Sequence, residues 1–156
     1  MLYTIRPFTP AEYPLLNGFL YEAIFVPKGA EKPPRDVIRT PELQVYTENF
    51  GRTGDFAIAA EANGKIIGAA WARIMQDYGH IDNETPSLAV SLYDEYRGHG
   101  IGTALLKALL AAIREAGYDR VSLSVQKENR AAKLYEKLGF RTVRETDEEY
   151  IMVCPL

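Results

Sequence analysis

The run Val90-Ser91-Leu92-Tyr93-Asp94-Glu95-Tyr96-Arg97-Gly98-His99-Gly100-Ile101-Gly102-Thr103 carries an apolar, strand-like segment into a helix-like one through alternating glycines. Glycine lets a backbone approach a ligand closely and adopt dihedral angles that a Cβ forbids. The first N–H groups of a helix have no partner in the chain, and the helix dipole is positive at that end. A phosphate satisfies both conditions, and Arg97 adds a fixed positive charge beside the turn. Gly98 alone would serve packing equally well; alternating glycines beside an arginine at a strand-to-helix junction point to an anion. Two other phosphate loops do not fit. A mononucleotide loop needs Gly-x-x-x-x-Gly-Lys-Ser/Thr, but Gly102 is followed by Thr103 and the nearest lysine is Lys107. A dinucleotide fingerprint needs Gly-x-Gly-x-x-Gly, but Thr103 stands at the third glycine and the turn lies far from the N-terminus.

A second equipped run is Val125-Gln126-Lys127-Glu128-Asn129-Arg130-Ala131-Ala132-Lys133-Leu134-Tyr135-Glu136-Lys137-Leu138-Gly139-Phe140. Asn129 suits a helix N-cap, a role compatible with touching a ligand. Tyr135 either packs beside Leu134 and Leu138 or donates a proton. Lys127, Arg130 and Lys133 form either a solvated helix face or a phosphate-facing cluster. Glu84 and, as second choice, Asp82 are carboxylates just ahead of a strand-like segment, with Pro86 disturbing the register there; both read equally well as solvated loop acids. His80 sits in the polar loop 77–83, where exposure is the commoner state. His99 occupies the glycine turn and is expected to face solvent. Cys154 reads as packing, because no histidine is placed to activate it.

These groups need a scaffold, and the chain predicts one. Tyr3 to Arg6 reads as a strand. Thr9-Pro10-Ala11-Glu12 is a helix start with a capping residue, a proline and a capping-box glutamate, and helical spacing continues to about Phe25. A proline loop follows from Pro27 to Pro34. Thr40-Pro41-Glu42 starts a second helix, expected to run to about Phe50. Strands at 55–62 and 65–74 flank an Asn63-Gly64 hairpin turn. Thr85 to Tyr93 is a strand. Ile101 to Ala116 is a helix with Ile101, Leu105, Ala108, Leu109, Ala112 and Ile113 on one stripe. Strand 120–125, helix 129–138 and strands 140–144 and 148–153 complete the order. The class is α/β (α+β): a mixed, mostly antiparallel sheet, helices on both faces, and one parallel pair made by the crossover between residues 85 and 125.

Composition narrows the class. The chain has 156 residues, 47% apolar and 25% charged, which suits a single domain over residues 1–156. A net charge of −3 and pI near 5.5 argue against dominant nucleic-acid binding. No apolar run approaches a membrane span, and residues 1–7 lack the features of a signal peptide, so a cytoplasmic location is expected. One Cys and two His exclude an intrachain disulfide and argue against a His/Cys zinc site.

The pattern Arg-x-x-Gly-x-Gly, filled by Arg97, Gly100 and Gly102, resembles the pyrophosphate loop of the GCN5-related N-acetyltransferase (GNAT) superfamily. The run from Val125 to Phe140, with Asn129, Tyr135 and the Leu-Gly-Phe close, resembles the second half of the same family. The likeness is close over 85–153 and lies in element order alone over 1–75. It implies acetyl-CoA as cosubstrate, no metal, and direct acetyl transfer to a small-molecule or peptide primary amine. Val90 and Leu92, with Ser91 between them, would pair with the pantetheine arm. Arg97, Gly98, His99, Gly100, Ile101 and Gly102 would hold the pyrophosphate, and Asn129 the pantetheine or thioester region. Tyr135 would be the general acid and Glu84 the general base. Tyr13, Tyr21, Glu22, Phe25, Tyr46 and the 27–34 loop would shape the acceptor pocket, although Tyr21 and Phe25 read equally well as core. Trp71 suits cleft or core. A homodimer is a family-level expectation. The alternative is an acyl-CoA-binding or sensory module of the same fold without turnover, which would need neither Tyr135 nor a base.

Overall fold

The computed structural model describes every residue from Met1 to Leu156. The expected hairpin forms from β2 (Phe56–Ala62) and β3 (Lys65–Arg73), with Asn63 and Gly64 both at positive φ in the turn. β1 (Thr4–Pro7) pairs with β2, and β4 (Ser87–Leu92) with β3. β5 (Arg120–Gln126), β6 (Arg141–Glu145) and β7 (Glu149–Pro155) complete one seven-stranded sheet in the order β1-β2-β3-β4-β5-β7-β6. Every pairing is antiparallel except β4 with β5, so the mixed, mostly antiparallel sheet expected from the sequence is the one observed.

Two apolar cores sandwich the sheet. On one face lie α3 (Ile101–Glu115) and α4 (Ala131–Lys137); Ile101, Leu105, Leu106, Leu109 and Ile113 of α3 are fully buried there. Leu106 takes a place in the stripe that Ala108 and Ala112, both partly exposed, were expected to share. On the other face α1 (Leu16–Ala23) buries Leu16, Phe19 and Leu20 against Ala69 and Trp71. β3 is buried on both faces, which is why it reads as an almost unbroken apolar run.

The first two helices depart from expectation. Pro14 has no N–H to give, so residues Pro10–Leu15 form a 3-10 turn and the α-helix begins only at Leu16. The second helix closes a single turn, α2 (Pro41–Gln44). Its continuation is captured by the sheet. Trp71 Nε1 donates to Tyr46 O at 3.0 Å, and Arg73 Nη1 donates to Glu48 O at 2.7 Å and Val45 O at 3.3 Å. Arg73, itself 1% exposed, is neutralised by Asp55 at 2.9 Å. A buried guanidinium needs all of these acceptors, and the carbonyls that would extend the helix supply them.

Candidate active site

β4 and β5 pair only at Ser87 and Ser122, where the Ser122 N–H donates to Pro86 O at 2.9 Å. Beyond that point the strands part, leaving a gap in the sheet. Tyr93 N–H donates to Ile67 O at 3.1 Å. Alternation along the antiparallel ladder therefore turns the odd residues of β4 toward β3 and leaves the N–H and C=O groups of Val90 and Leu92 facing the gap.

From β4 the chain enters the glycine turn. Gly98 (φ 83°) and Gly100 (φ 78°) take left-handed conformations, and Gly100 is the N-cap of α3. The helix's first bond runs from Ala104 N–H to Gly100 O at 3.1 Å, and the N–H groups of Gly98 through Thr103 have no partner in the protein. Gly102 is a different case. It is helical, where glycine costs about 1 kcal/mol relative to alanine, and a Cβ there would make only ordinary contact with Leu92 at 3.9 Å. Packing does not demand glycine at 102, a position that borders the cleft.

That cleft has a volume of about 710 Å³. Val90, Ser91 and Leu92 form one wall, Arg97, Gly98 and Gly100 to Thr103 the floor, and Asn129, Leu134 and Tyr135 the opposite wall. Arg97 is exposed and meets only Asp94, at 3.2 Å, while Lys32 stands 3.9 Å from the same carboxylate. Exposed pairs of this kind are weak, so both cations can turn to an anion on the floor. Nothing in the sequence pattern singles out Lys32, which comes from a proline loop remote from the turn. Asn129 Oδ1 accepts from Ala131 N–H at 3.0 Å one residue ahead of the α4 N-cap, Arg130, and its amide NH₂ has no protein partner. Ser91 is tied elsewhere: its hydroxyl donates to Phe19 O at 2.7 Å and anchors α1. His99 is exposed and does not line the cleft.

Tyr135 is buried, packed edge-on to Phe140 with ring centroids 5.8 Å apart. Its hydroxyl has no protein partner, and since no fully buried polar side-chain atom lacks one, the hydroxyl opens into the cleft it lines. Burial pushes this phenol up to about 12, so at neutral pH it is protonated.

The expected bases are not brought to the cleft. Glu84 is exposed, ahead of β4 at the end remote from the glycine turn, with its N–H held by Asp82 Oδ1 at 2.9 Å. Asp82 is lowered to about 2, first by Thr85, then by the Glu84 N–H and Arg120, which makes it a poor proton acceptor. His80 is tied down through Nδ1 to Met75 O at 2.8 Å. Cys154 is buried with its thiol pushed up, which leaves it inert. Lys127 pairs with Glu145 at 3.4 Å. Trp71 is core, fully buried. Tyr21, Glu22 and Phe25 line the cleft, with the Tyr21 hydroxyl donating to Pro33 O at 2.6 Å.

A strand edge left unpaired thus runs into a glycine-shaped helix start, and the free main-chain groups of both border one cleft. Residues 20–140 match the model of the acetyltransferase (GNAT) family, and the chain belongs to that family. An N-alpha-acetyltransferase of Sulfurisphaera tokodaii is 32% identical over 113 residues, 62% of this chain and 67% of that protein. A mycothiol acetyltransferase of Saccharomonospora viridis is 33% identical over 111 residues, 69% of this chain but only 36% of that protein, so the chain spans about a third of that relative. The crystal structure of the PaiA N-acetyltransferase of Thermoplasma acidophilum in complex with coenzyme A has the same fold, with a TM-score of 0.72 over 100% of both chains at 19% identity. No helix is long and apolar enough to cross a membrane.

Proposed function

We propose that residues 1–156 act as a single N-acetyltransferase domain, moving the acetyl group of acetyl-CoA directly to a primary amine in a ternary complex. The observation that carries this reading is two stretches of unpartnered main-chain groups on one cleft, at Val90 and Leu92 and at Gly98–Thr103. The latter amides, with the α3 dipole, suit a diphosphate. The former suit the amides of a pantetheine arm, added as one more strand. Family membership supports acetyl transfer as the reaction, and the two relatives' names support amines of more than one kind as acceptors. Asn129 offers its free NH₂ to the arm. Tyr135 faces the leaving sulfur and donates to it as the carbon–sulfur bond breaks, a contribution of about 10²–10⁴ in rate. No covalent acyl-enzyme is invoked, since the one cysteine is buried and protonated. Homodimer formation belongs to the proposal and is read by sedimentation.

The test is coenzyme A release from acetyl-CoA across a panel of amines, with product masses. Acetylated product supports the reading. Tight acetyl-CoA binding without turnover on any amine would favour a binding or sensory module instead; the hydroxyl of Tyr135, open to the cleft, speaks for turnover.

A further inference from the structure

Gly68 stands inside β3, where a glycine weakens the strand and marks the close approach of another group. Its register partner on β4 is Leu92. The space left by the missing side chain is taken. A Cβ on Gly68 would lie 2.2 Å from Leu92 Cδ2, 3.2 Å from Leu105 Cδ1 and 3.2 Å from Ser91 O. The Leu92 side chain therefore leans back across β3, away from the gap between β4 and β5. Its other methyl, Cδ1, is 3.9 Å from the place of a Cβ on Gly102. Leu92 and Gly102 line the cleft; Gly68 does not.

Little around this notch can give way except Leu92. Leu105 is fully buried in the core under α3. The β4 main chain is pinned on both sides of Leu92: Ser91 Oγ donates to Phe19 O at 2.7 Å, and Tyr93 N–H donates to Ile67 O at 3.1 Å. A Leu92 side chain driven out of the notch has one open direction, the cleft it already borders. A shift of β4 away from β3 would narrow the same gap.

We propose that Gly68 is a positioning residue for the cosubstrate: its bare Cα seats Leu92 over β3, which keeps the β4 edge and the approach to the Gly102 amide clear for acetyl-CoA. The assignment rests on the acetyl-CoA reading of the cleft and extends it to a residue that the ligand does not touch. In sequence Gly68 is a lone glycine within an apolar strand, outside both of the runs that carry the resemblance. A role in packing alone would tie Gly68 to stability. Its contact with a cleft-lining side chain ties it to affinity as well.

The experiment is a double-mutant cycle read in acetyl-CoA affinity by calorimetry, with melting curves beside it. Wild type, Gly68→Ala, Leu92→Ala and the double variant are compared at a temperature where each is folded. Gly68→Ala is expected to weaken acetyl-CoA binding about tenfold or more, the scale of overpacking by one methyl. In the Leu92→Ala background, where the notch is empty, the same change should alter Kd by less than about twofold. If Gly68→Ala melts below the assay temperature, Leu92→Phe replaces it with Gly68 intact: a ring too large for the notch must project into the cleft, and a loss of about tenfold is again expected. Gly68→Ala with wild-type affinity, a loss equal in both backgrounds, or Leu92→Phe with wild-type affinity overturns the assignment. Wild-type protein without saturable acetyl-CoA binding overturns the reading beneath it; wild-type binding beside an indifferent Gly68→Ala overturns the positioning role alone.

Discussion

The two sides of the cleft are built from different materials. The α3 side is lined by main chain: the edge of β4, then consecutive free amides around a glycine turn. The α1 side is lined by side chains, with Tyr21 and Glu22 drawn from α1 and Phe25 and Lys32 from the loop that follows it. A ligand with a fixed backbone-like tail and a diphosphate can be held by main chain alone. An acceptor must be chosen by charge and shape, which only side chains supply. Cosubstrate binding on the donor side is therefore expected to tolerate substitution everywhere except where a Cβ intrudes, and the acceptor side to respond to single charges.

That contrast can be broken at several points. The largest effect on the donor side is expected from Tyr135→Phe, which should lower kcat by about 10²-fold or more while leaving acetyl-CoA binding nearly intact; steady-state kinetics beside calorimetry measures both, and an unchanged kcat would remove the proton-donor role if chemistry limits turnover. Next is the glycine turn. Gly100→Val should weaken acetyl-CoA, but it also forces a β-branched residue to φ 78°, a strain of about 1–3 kcal/mol. Gly102→Ala is cleaner. It should raise the acetyl-CoA Kd by about tenfold while stabilising α3 by up to about 1 kcal/mol, so melting temperature and affinity move in opposite directions. If affinity holds, the close-approach argument fails.

Smaller effects sharpen the other side. Because its carboxyl is held near 2 in the folded protein, Asp82 contributes stability that is complete above its unfolded value of about 3.9 and is lost as pH falls from about 4 to about 2. Asp82→Asn should flatten the acid limb of a stability–pH curve in that window and leave the rate alone. Glu84→Gln should do least, changing kcat/KM by less than about twofold, since Glu84 is exposed and outside the cleft. A large loss with Glu84→Gln would return it to the role of base.

What was legible in the sequence follows the same divide. The strands, the hairpin at Asn63-Gly64 and α3 are written locally, in period-two and helical patterns and in glycines at their ends. The cleft was legible because its arginine and glycines fall in one short run, Arg97 to Gly102, and the family resemblance named Asn129 and Tyr135, which stand on its wall. The second helix was not legible: Thr40 to Phe50 carries good start and stop signals, yet Trp71 and Arg73, more than twenty residues away, claim the carbonyls of Val45, Tyr46 and Glu48. Lys32 was hidden for the same reason. In sequence it is one more charged residue of a proline loop, and only the fold brings it to the Asp94 carboxylate beside the glycine turn.

The central claim is that main-chain amides of the glycine turn and the β4 edge hold coenzyme A. Amide hydrogen exchange with and without acetyl-CoA tests it directly. The account predicts new protection at Gly98 through Thr103 and at Val90 and Leu92, with little change along β1, β2 and β6. Saturating acetyl-CoA that leaves those amides exchanging as before, while protecting another part of the surface, would contradict it.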